Sequence, residues 1–210
     1  MMVAIDIDLR QTLGPVRDQG PRPTCLSHAL TLAHEHSRQD ATPLSPEYLH
    51  FFATNNVPRR GSTFPAARTA LKNVGQPKEE HCPYFPGDPP AAWIPPSGLS
   101  VYRRSSSMRS STASSIEHLL REGVLPVLGL TLSATFFTPS HPWVISADGG
   151  PRGRHAVLCA GAGDYLGGRV VLVRNSWGAG WGDGGHAWLD ESFLAEHLRE
   201  VLTLDGEVAA

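Results

Sequence analysis

The sequence predicts an α+β protein of two lobes, an N-terminal mainly helical lobe and a C-terminal antiparallel β-sheet, barrel-like lobe. Two observations carry that prediction. Apolar residues recur at helical spacing from Leu26 through Ala29, Leu30 and Ala33. Short apolar runs separated by Gly-rich turns crowd the second half of the chain. A cleft between two such lobes is a favoured place for a site.

Taken in order, Met1 to Arg10 alternates apolar Val3, Ile5 and Ile7 with Asp6 and Asp8, and lacks the basic and apolar regions of a secretory signal. Gly14 to Pro23 reads as a loop of Gly and Pro punctuation. Cys25 to Ser37 follows as a helix with Thr24 as its N-cap, so Cys25 falls in the first helical turn. Ser45 to Ala53 is a second helix with Pro46 near its first position, and Phe64 to Val74 a third that stops at Gly75. Pro77 to Ser115 reads as irregular surface loop: it is Pro-rich over His81 to Pro96 and holds seven serines between Ser105 and Ser115. Within it, only Val101 to Arg103 hints at a strand. Ile116 to Glu122 is a short helix, and Leu125 to Leu132, His155 to Gly161, Arg169 to Asn175 and His186 to Asp190 are strands. With no internal repeat, residues 1–210 form one domain, about 8–115 in the helical lobe with its loops and about 116–210 in the β lobe.

A chain of 210 residues can bury a core and fold alone. Eighteen Lys plus Arg against 20 Asp plus Glu, with no long block of one sign, argue against a nucleic-acid partner. No apolar run approaches the ~20 residues of a membrane span. Cys25, Cys82 and Cys159 permit at most one internal disulfide, and such sparse usage fits a reducing, cytoplasmic compartment. His28, His34 and His36 lack the i, i+4 pairing of a zinc face, and Cys82 with His81 has no second ligand pair nearby, so no metal is expected. No cofactor is expected, and the protein is read as a monomer.

The chemistry centres on Cys25. A thiolate, not a thiol, attacks carbonyls, and a thiol at a helix N-terminus is activated by the helix dipole and unpaired N–H groups. Taken singly, Cys25 reads as a small core hydrophobe, His155 as a satisfied histidine and Asn175 as a turn residue. Their order and context join them. Gly14-Pro15-Val16-Arg17-Asp18-Gln19-Gly20, then Cys25 opening a helix six residues after Gln19, resembles the active-site entry of the papain family of cysteine peptidases. In that family histidine and asparagine lie about 130–150 residues beyond the cysteine. Here His155 is 130 residues on and Asn175 is 150 on. Val173-Arg174-Asn175-Ser176-Trp177-Gly178-Ala179-Gly180-Trp181-Gly182 closely matches the family's Asn-Ser-Trp-Gly-x-x-Trp-Gly signature.

The resemblance covers most of the chain, from Asp8 to Gly20 at the start of a papain-like domain to Trp188 to Phe193 as its closing strand. It implies a thiol hydrolase cleaving peptide bonds: Cys25 as nucleophile, His155 as its proton partner, Asn175 orienting that imidazole, and Gln19 with the Cys25 backbone N–H holding the oxyanion. On the substrate side it implies backbone binding at Gly61 and Ser62, a pocket at Phe64 and Pro65 for a bulky apolar side chain, and Trp177 shielding the His155–Asn175 bond. Arg154 precedes His155, where relatives carry residues such as aspartate or asparagine; its positive charge either opposes imidazolium formation or points away into solvent. Cys82-Pro83-Tyr84 resembles the Tyr-Pro-Tyr segment that follows the third helix.

The pattern departs from the family at Pro21-Arg22-Pro23-Thr24, which replaces Ser-Cys-Gly-Ser, and at Leu26, which replaces tryptophan. The disulfide made by that extra cysteine is therefore absent, and Pro23, lacking an N–H, stiffens or narrows the cleft on its side. Only seven residues precede Asp8, so either restraint falls to location, an inhibitor or regulatory partner, or narrow specificity in place of an inhibitory propeptide, or the chain is cut from a longer parent. Two other functions use the same residues: an acyl transferase or peptide ligase that resolves the thioester with an amine, and an inactive binding module. The intact set of Gln19, Cys25, His155 and Asn175 disfavours the last. Endopeptidase action is favoured, since no blocking loop or terminal-charge clamp is evident.

Overall fold

Helix α1 (Cys25–Arg38) is the element around which the chain folds, and it is buried from Leu26 to His34 without a break. Its predicted apolar stripe is only part of what it hides. A helix buried all round must pair its polar groups internally. Thr31 Oγ1 donates to the Ser27 carbonyl, and Gln76 donates to Thr31 Oγ1 at 2.7 Å and accepts at 2.9 Å from His34 Nδ1. The computed structural model describes residues 2–40, 42–150 and 152–209.

Around α1 stand α2 (Pro46–Ala53) and α3 (Phe64–Asn73), each with proline in its first turn and a hydroxyl cap, Ser45 and Thr63. Short helical turns form at Arg10–Thr12 and Glu79–His81. The other side of α1 meets an eight-stranded sheet built from β1 (Ala4–Asp8), β2 (Arg104–Met108), β3 (Val127–Thr131), β4 (Val144–Ile145), β5 (Arg154–Tyr165), β6 (Gly168–Arg174), β7 (His186–Asp190) and β8 (Leu198–Glu207). Strand order is β2-β8-β3-β5-β6-β7-β4, with β1 added to β5. All pairings are antiparallel except β4 with β7.

β5 runs through the middle, and alternation along it serves two cores. Ala156, Leu158 and Ala160 face α1 and pack with Leu26, Leu30, Ala33, Phe64 and Leu71. Val157 and Cys159 face the opposite core with Ile116, Leu128, Val173, Phe193 and Val201, closed by α4 (Ala113–Arg121), the single turn α5 (Ala134–Phe137) and α6 (Glu191–His197). Truncating the fully buried Leu30 to alanine would cost about 2–5 kcal/mol. Glycine is required where β1 crosses: a Cβ on Gly161 would lie 2.4 Å from the Ile7 carbonyl oxygen.

The α+β class holds, and so do the first three helices within a residue or two. Four expectations are corrected. The serine tract is not all loop: Arg104–Met108 is β2, an edge strand paired with β8, where Ser107 Oγ donates to Asp205 and Ser105 Oγ to the Gly206 carbonyl. The strand hint at Val101 to Arg103 is a single bridge between Tyr102 and Gln76. The chain does not close on a strand over Trp188 to Phe193, because Asp190 caps α6 by accepting from the Phe193 N–H, and β8 follows. Thr24 occupies the N-cap position of α1 without capping it, since its hydroxyl instead bonds the Tyr84 hydroxyl at 2.8 Å.

All three cysteines are free thiols. No described helix is long and apolar enough to cross a membrane.

Several histidines are sealed inside and kept neutral. Burial pushes His28 down to about 3 and His34 to about 4, and lowers His50. The unfolded chain takes up these protons near pH 6.5, whereas the folded chain refuses them until much lower pH. Stability is therefore full above pH 7 and falls as pH drops from about 6.5 towards 4, by about 1.4 kcal/mol per pH unit for each withheld proton. Urea unfolding between pH 7.5 and 4.5 checks this: the wild-type midpoint falls steeply, and His28→Leu flattens the slope by about one proton.

Candidate active site

Cys25, the first residue of α1, and His155, the second residue of β5, line one cleft of about 690 Å3. They meet because α1 packs lengthwise on β5. Capping hydroxyls or carboxylates occupy the starts of α2, α3, α4 and α6, but the Thr24 hydroxyl is engaged elsewhere. The N–H groups around Cys25 thus keep their partial positive charge for a ligand or a thiolate.

His155 is buried, and its Nε2 lies 2.7 Å from Asn175 Oδ1. The same oxygen accepts from the Ser176 backbone N–H at 2.8 Å, which fixes it as the carbonyl end of the amide. An acceptor-only partner means that Nε2 carries the proton, leaving Nδ1 as the basic nitrogen of the neutral ring. Around the imidazole stand Trp177, with ring centroids 4.7 Å apart, and Phe136 at 5.8 Å. Beyond them Phe137, 45% exposed, stacks on Trp177 as an aromatic shelf.

Gln19 is buried beside this group rather than on the cleft wall. Its backbone N–H donates to the Ser176 carbonyl at 2.8 Å, its Oε1 accepts from Ser176 Oγ at 2.6 Å, and its Nε2 donates to the Arg22 carbonyl at 2.6 Å. A primary amide has two N–H bonds, so one stays uncommitted. Ser176 therefore locks Gln19 to the residue following Asn175.

Electrostatically, burial dominates. It pushes the Cys25 thiol up, against backbone N–H contacts from Ala156 and the helix start, and pushes His155 down to about 4 despite the Asn175 bond. Both shifts favour the neutral thiol and imidazole. Arg154 lies exposed at the cleft rim, and burial together with the Asn175 bond, not its charge, governs the His155 imidazole.

The predicted pocket residues Gly61, Ser62, Phe64, Pro65 and Arg154 line the same cleft as Cys25 and His155. Trp177 and Asn175 stand behind His155 instead. Sequence reasoning missed Gly129, Thr131, Arg199 and Glu200, which also line the cleft. Gly129 is small because the Phe64 ring needs the space: a Cβ there would lie 2.8 Å from Phe64 Cε2 and 3.1 Å from Glu200 Cβ. Glu200, half-buried, adds an acid to a cleft lined by apolar Phe64, Pro65, Leu130 and Ala156 and by the cations Arg154 and Arg199. It sits on β8, which was not among the expected strands although Val201 to Leu204 is a short apolar run. Phe136 and Phe137 form an aromatic pair visible in the sequence, but only the fold sets them against His155.

A helix-borne thiol facing a strand-borne, amide-anchored imidazole across an interlobe cleft defines the class of papain-like cysteine proteases, and solved structures agree on the fold. Xylellain, a cysteine protease from Xylella fastidiosa, superposes with a TM-score of 0.79 at 20% identity, over 96% of this chain and 87% of that one. A digestive procathepsin L from the larval midgut of Tenebrio molitor gives 0.76 at 18% identity, over 98% and 71%. The proform of a cysteine protease allergen from ragweed pollen gives 0.76 at 18% identity, over 94% and 65%. Among curated proteins, no sequence matches this chain. The family model for papain family cysteine proteases matches residues 3–194, and the chain belongs to that family.

Because burial and the Asn175 bond govern His155, its ring in Cys25→Ala protein should titrate near pH 4, with the proton of the neutral form on Nε2. Nitrogen-15 NMR of the imidazole reads both quantities. A further Asn175→Ala substitution should mix the two tautomers and move the midpoint lower still.

Proposed function

We propose that this chain hydrolyses peptide bonds with Cys25 as nucleophile, His155 as general base and then general acid, Asn175 as the orienting group, and Gln19 as an oxyanion donor. One observation carries the reading: an uncapped helix start presents Cys25 in the same cleft as an imidazole whose Nε2–H is tied to Asn175 Oδ1. That bond leaves Nδ1 free to take a proton.

As substrate enters, Cys25 Sγ attacks the carbonyl carbon and its proton passes to His155 Nδ1. Burial opposes a standing ion pair, so this transfer accompanies attack rather than preceding it. The developing oxyanion is held by the Cys25 backbone N–H and the uncommitted N–H of Gln19; losing one such donor costs about 2.7–4 kcal/mol in comparable enzymes. The imidazolium returns its proton to the leaving amine, giving a thioester. Water then attacks with His155 again as base, releasing the acid and restoring the thiol. An amine in place of water would make the same intermediate a transferase, which product analysis with added amine would reveal.

Endopeptidase action is supported by binding features on both sides of the nucleophile. The Gly61-to-Glu200 cleft extends from Cys25, and the Phe137–Trp177 shelf continues past His155. The apolar walls suit a bulky side chain, and the Glu200 carboxylate suits one ending in a cation.

An epoxide inhibitor of thiol peptidases, read by intact and peptide mass spectrometry, should modify Cys25 alone, since Cys82 and Cys159 are 1% and 0% exposed. His155→Ala should slow that labelling by about 100-fold or more, in line with the usual contribution of a positioned base. Equal labelling of all three thiols, or none at Cys25, would leave the inactive binding module as the better account. In a peptide library, Glu200→Gln should lower kcat/KM for arginine in the pocket about tenfold relative to leucine.

A further inference from the structure

A buried ion pair holds the loop that carries Gln19. The side chains of Arg22 and Glu47 are each only 2% exposed. Arg22 Nη1 donates to Glu47 Oε2 at 2.5 Å and Nη2 donates to Oε1 at 2.8 Å. Nη1 also donates to the Phe85 carbonyl at 3.0 Å, while the Phe85 N–H donates to Glu47 Oε2 at 3.3 Å. The guanidinium lies 5.2 Å from the Tyr84 ring centroid, and the Tyr84 hydroxyl donates to the Gln19 carbonyl at 2.8 Å. The loop between Gln19 and Cys25 is thereby tied to the first turn of α2 and to residues 84–85.

Stability alone is a weak reason for such a pair. Removing two charges from water costs several kcal/mol per ion, and apolar residues of similar volume often do as well or better. What the pair does supply is a fixed position, because a bidentate guanidinium–carboxylate contact restricts both distance and orientation. Arg22 is flanked by Pro21 and Pro23, which narrow its backbone choices further. Its carbonyl oxygen accepts from Gln19 Nε2 at 2.6 Å and from the Thr24 N–H at 2.9 Å. With Ser176 on Oε1 and the Arg22 carbonyl on one amide hydrogen, the direction of the remaining Gln19 N–H depends on where those two anchors stand. Ser176 is set by the sheet lobe, and Arg22 by Glu47.

We propose that Glu47, acting through Arg22, is a positioning residue that aims the free Gln19 N–H at the oxyanion. Helix α2 thus belongs to the catalytic apparatus without touching substrate, and an ion pair serves at Arg22, where the family pattern carries the extra cysteine. The proposal rests on the reading of Gln19 as an oxyanion donor.

The test compares kcat per inhibitor-titrated Cys25 in wild type, Gln19→Ala, the double variant Arg22→Met/Glu47→Leu and the triple combination. The double variant should stay folded, titrate one Cys25 per chain and keep KM within about threefold, while kcat falls at least tenfold. The triple variant should be no slower than Gln19→Ala, because the pair acts only through that amide. Should the apolar pair fail to fold, Glu47→Gln, which leaves Arg22 one oxygen to bond, is expected to lose about three- to tenfold in kcat with KM kept. If Gln19→Ala is slow and both pair variants keep kcat within twofold of wild type, the positioning role is overturned while Gln19 stands. If Gln19→Ala itself keeps full kcat, the oxyanion reading fails and the proposal with it.

Discussion

Helix α1 presses its buried length onto β5, and that contact sets both halves of the site at once. It carries Cys25 on the first helical turn into the same cleft as His155 at the start of the strand. Neither element has freedom to slide. Leu26, Leu30 and Ala33 interlock with Ala156, Leu158 and Ala160, and a one-residue slip of β5 would exchange its two faces and carry His155 out of place. Crossed by β1 and flanked by β3 and β6, β5 has neighbours on both edges. Cys25 and His155 are therefore both positioned by elements buried in the core, and on the proposed roles core packing and catalytic geometry are one constraint.

That burial carries an electrostatic consequence. Packing the imidazole among Trp177, Phe136 and Asn175 excludes water, and the same exclusion drives His155 towards its neutral form and the Cys25 thiol towards its protonated one. Opposing this are the uncapped helix start and the Asn175 acceptor. Under the proposed mechanism charge separates only when substrate is present, in a setting where a few fixed dipoles count for more than they would in water. Other buried polar groups are held by fixed partners without chemistry: Gln76 bonds Thr31 Oγ1 and His34 Nδ1 at once and joins α1 to the Ser45 carbonyl ahead of α2.

The first three helices were legible because local rules decide them: apolar spacing in α1, and in α2 and α3 a proline in the first turn behind a hydroxyl cap, with α3 stopping just before Gly75. The central strands were legible as apolar runs between glycines. β2 and β8 were not. Serines over Ser105 to Ser107 are poor strand formers by themselves, and only the pairing of each strand with the other, and of β8 with β3, makes them sheet. In the site, the residues named from motif spacing lie where the fold brings them together in one cleft or directly behind it. The cleft's far wall, Thr131, Arg199 and Glu200, was invisible because no motif marks those positions and β8 itself was unseen. Ser176 lies inside the Asn-Ser-Trp-Gly motif, yet its hold on Gln19, 157 residues away, is set only by the fold.

By itself, then, the sequence determined the class of fold, the helix that opens at Cys25, and the ordered set of Gln19, Cys25, His155 and Asn175, since these follow from local periodicity and fixed spacing along the chain. Only the tertiary structure decided which nitrogen of His155 is free, that Thr24 leaves the helix start uncapped, that Arg22 is clamped by Glu47, and that Glu200 lines the cleft with Cys25. Each of these depends on a contact between residues distant in the chain, set by how strands pair and which side chains are left to fill the space between them, and neither periodicity nor spacing encodes that.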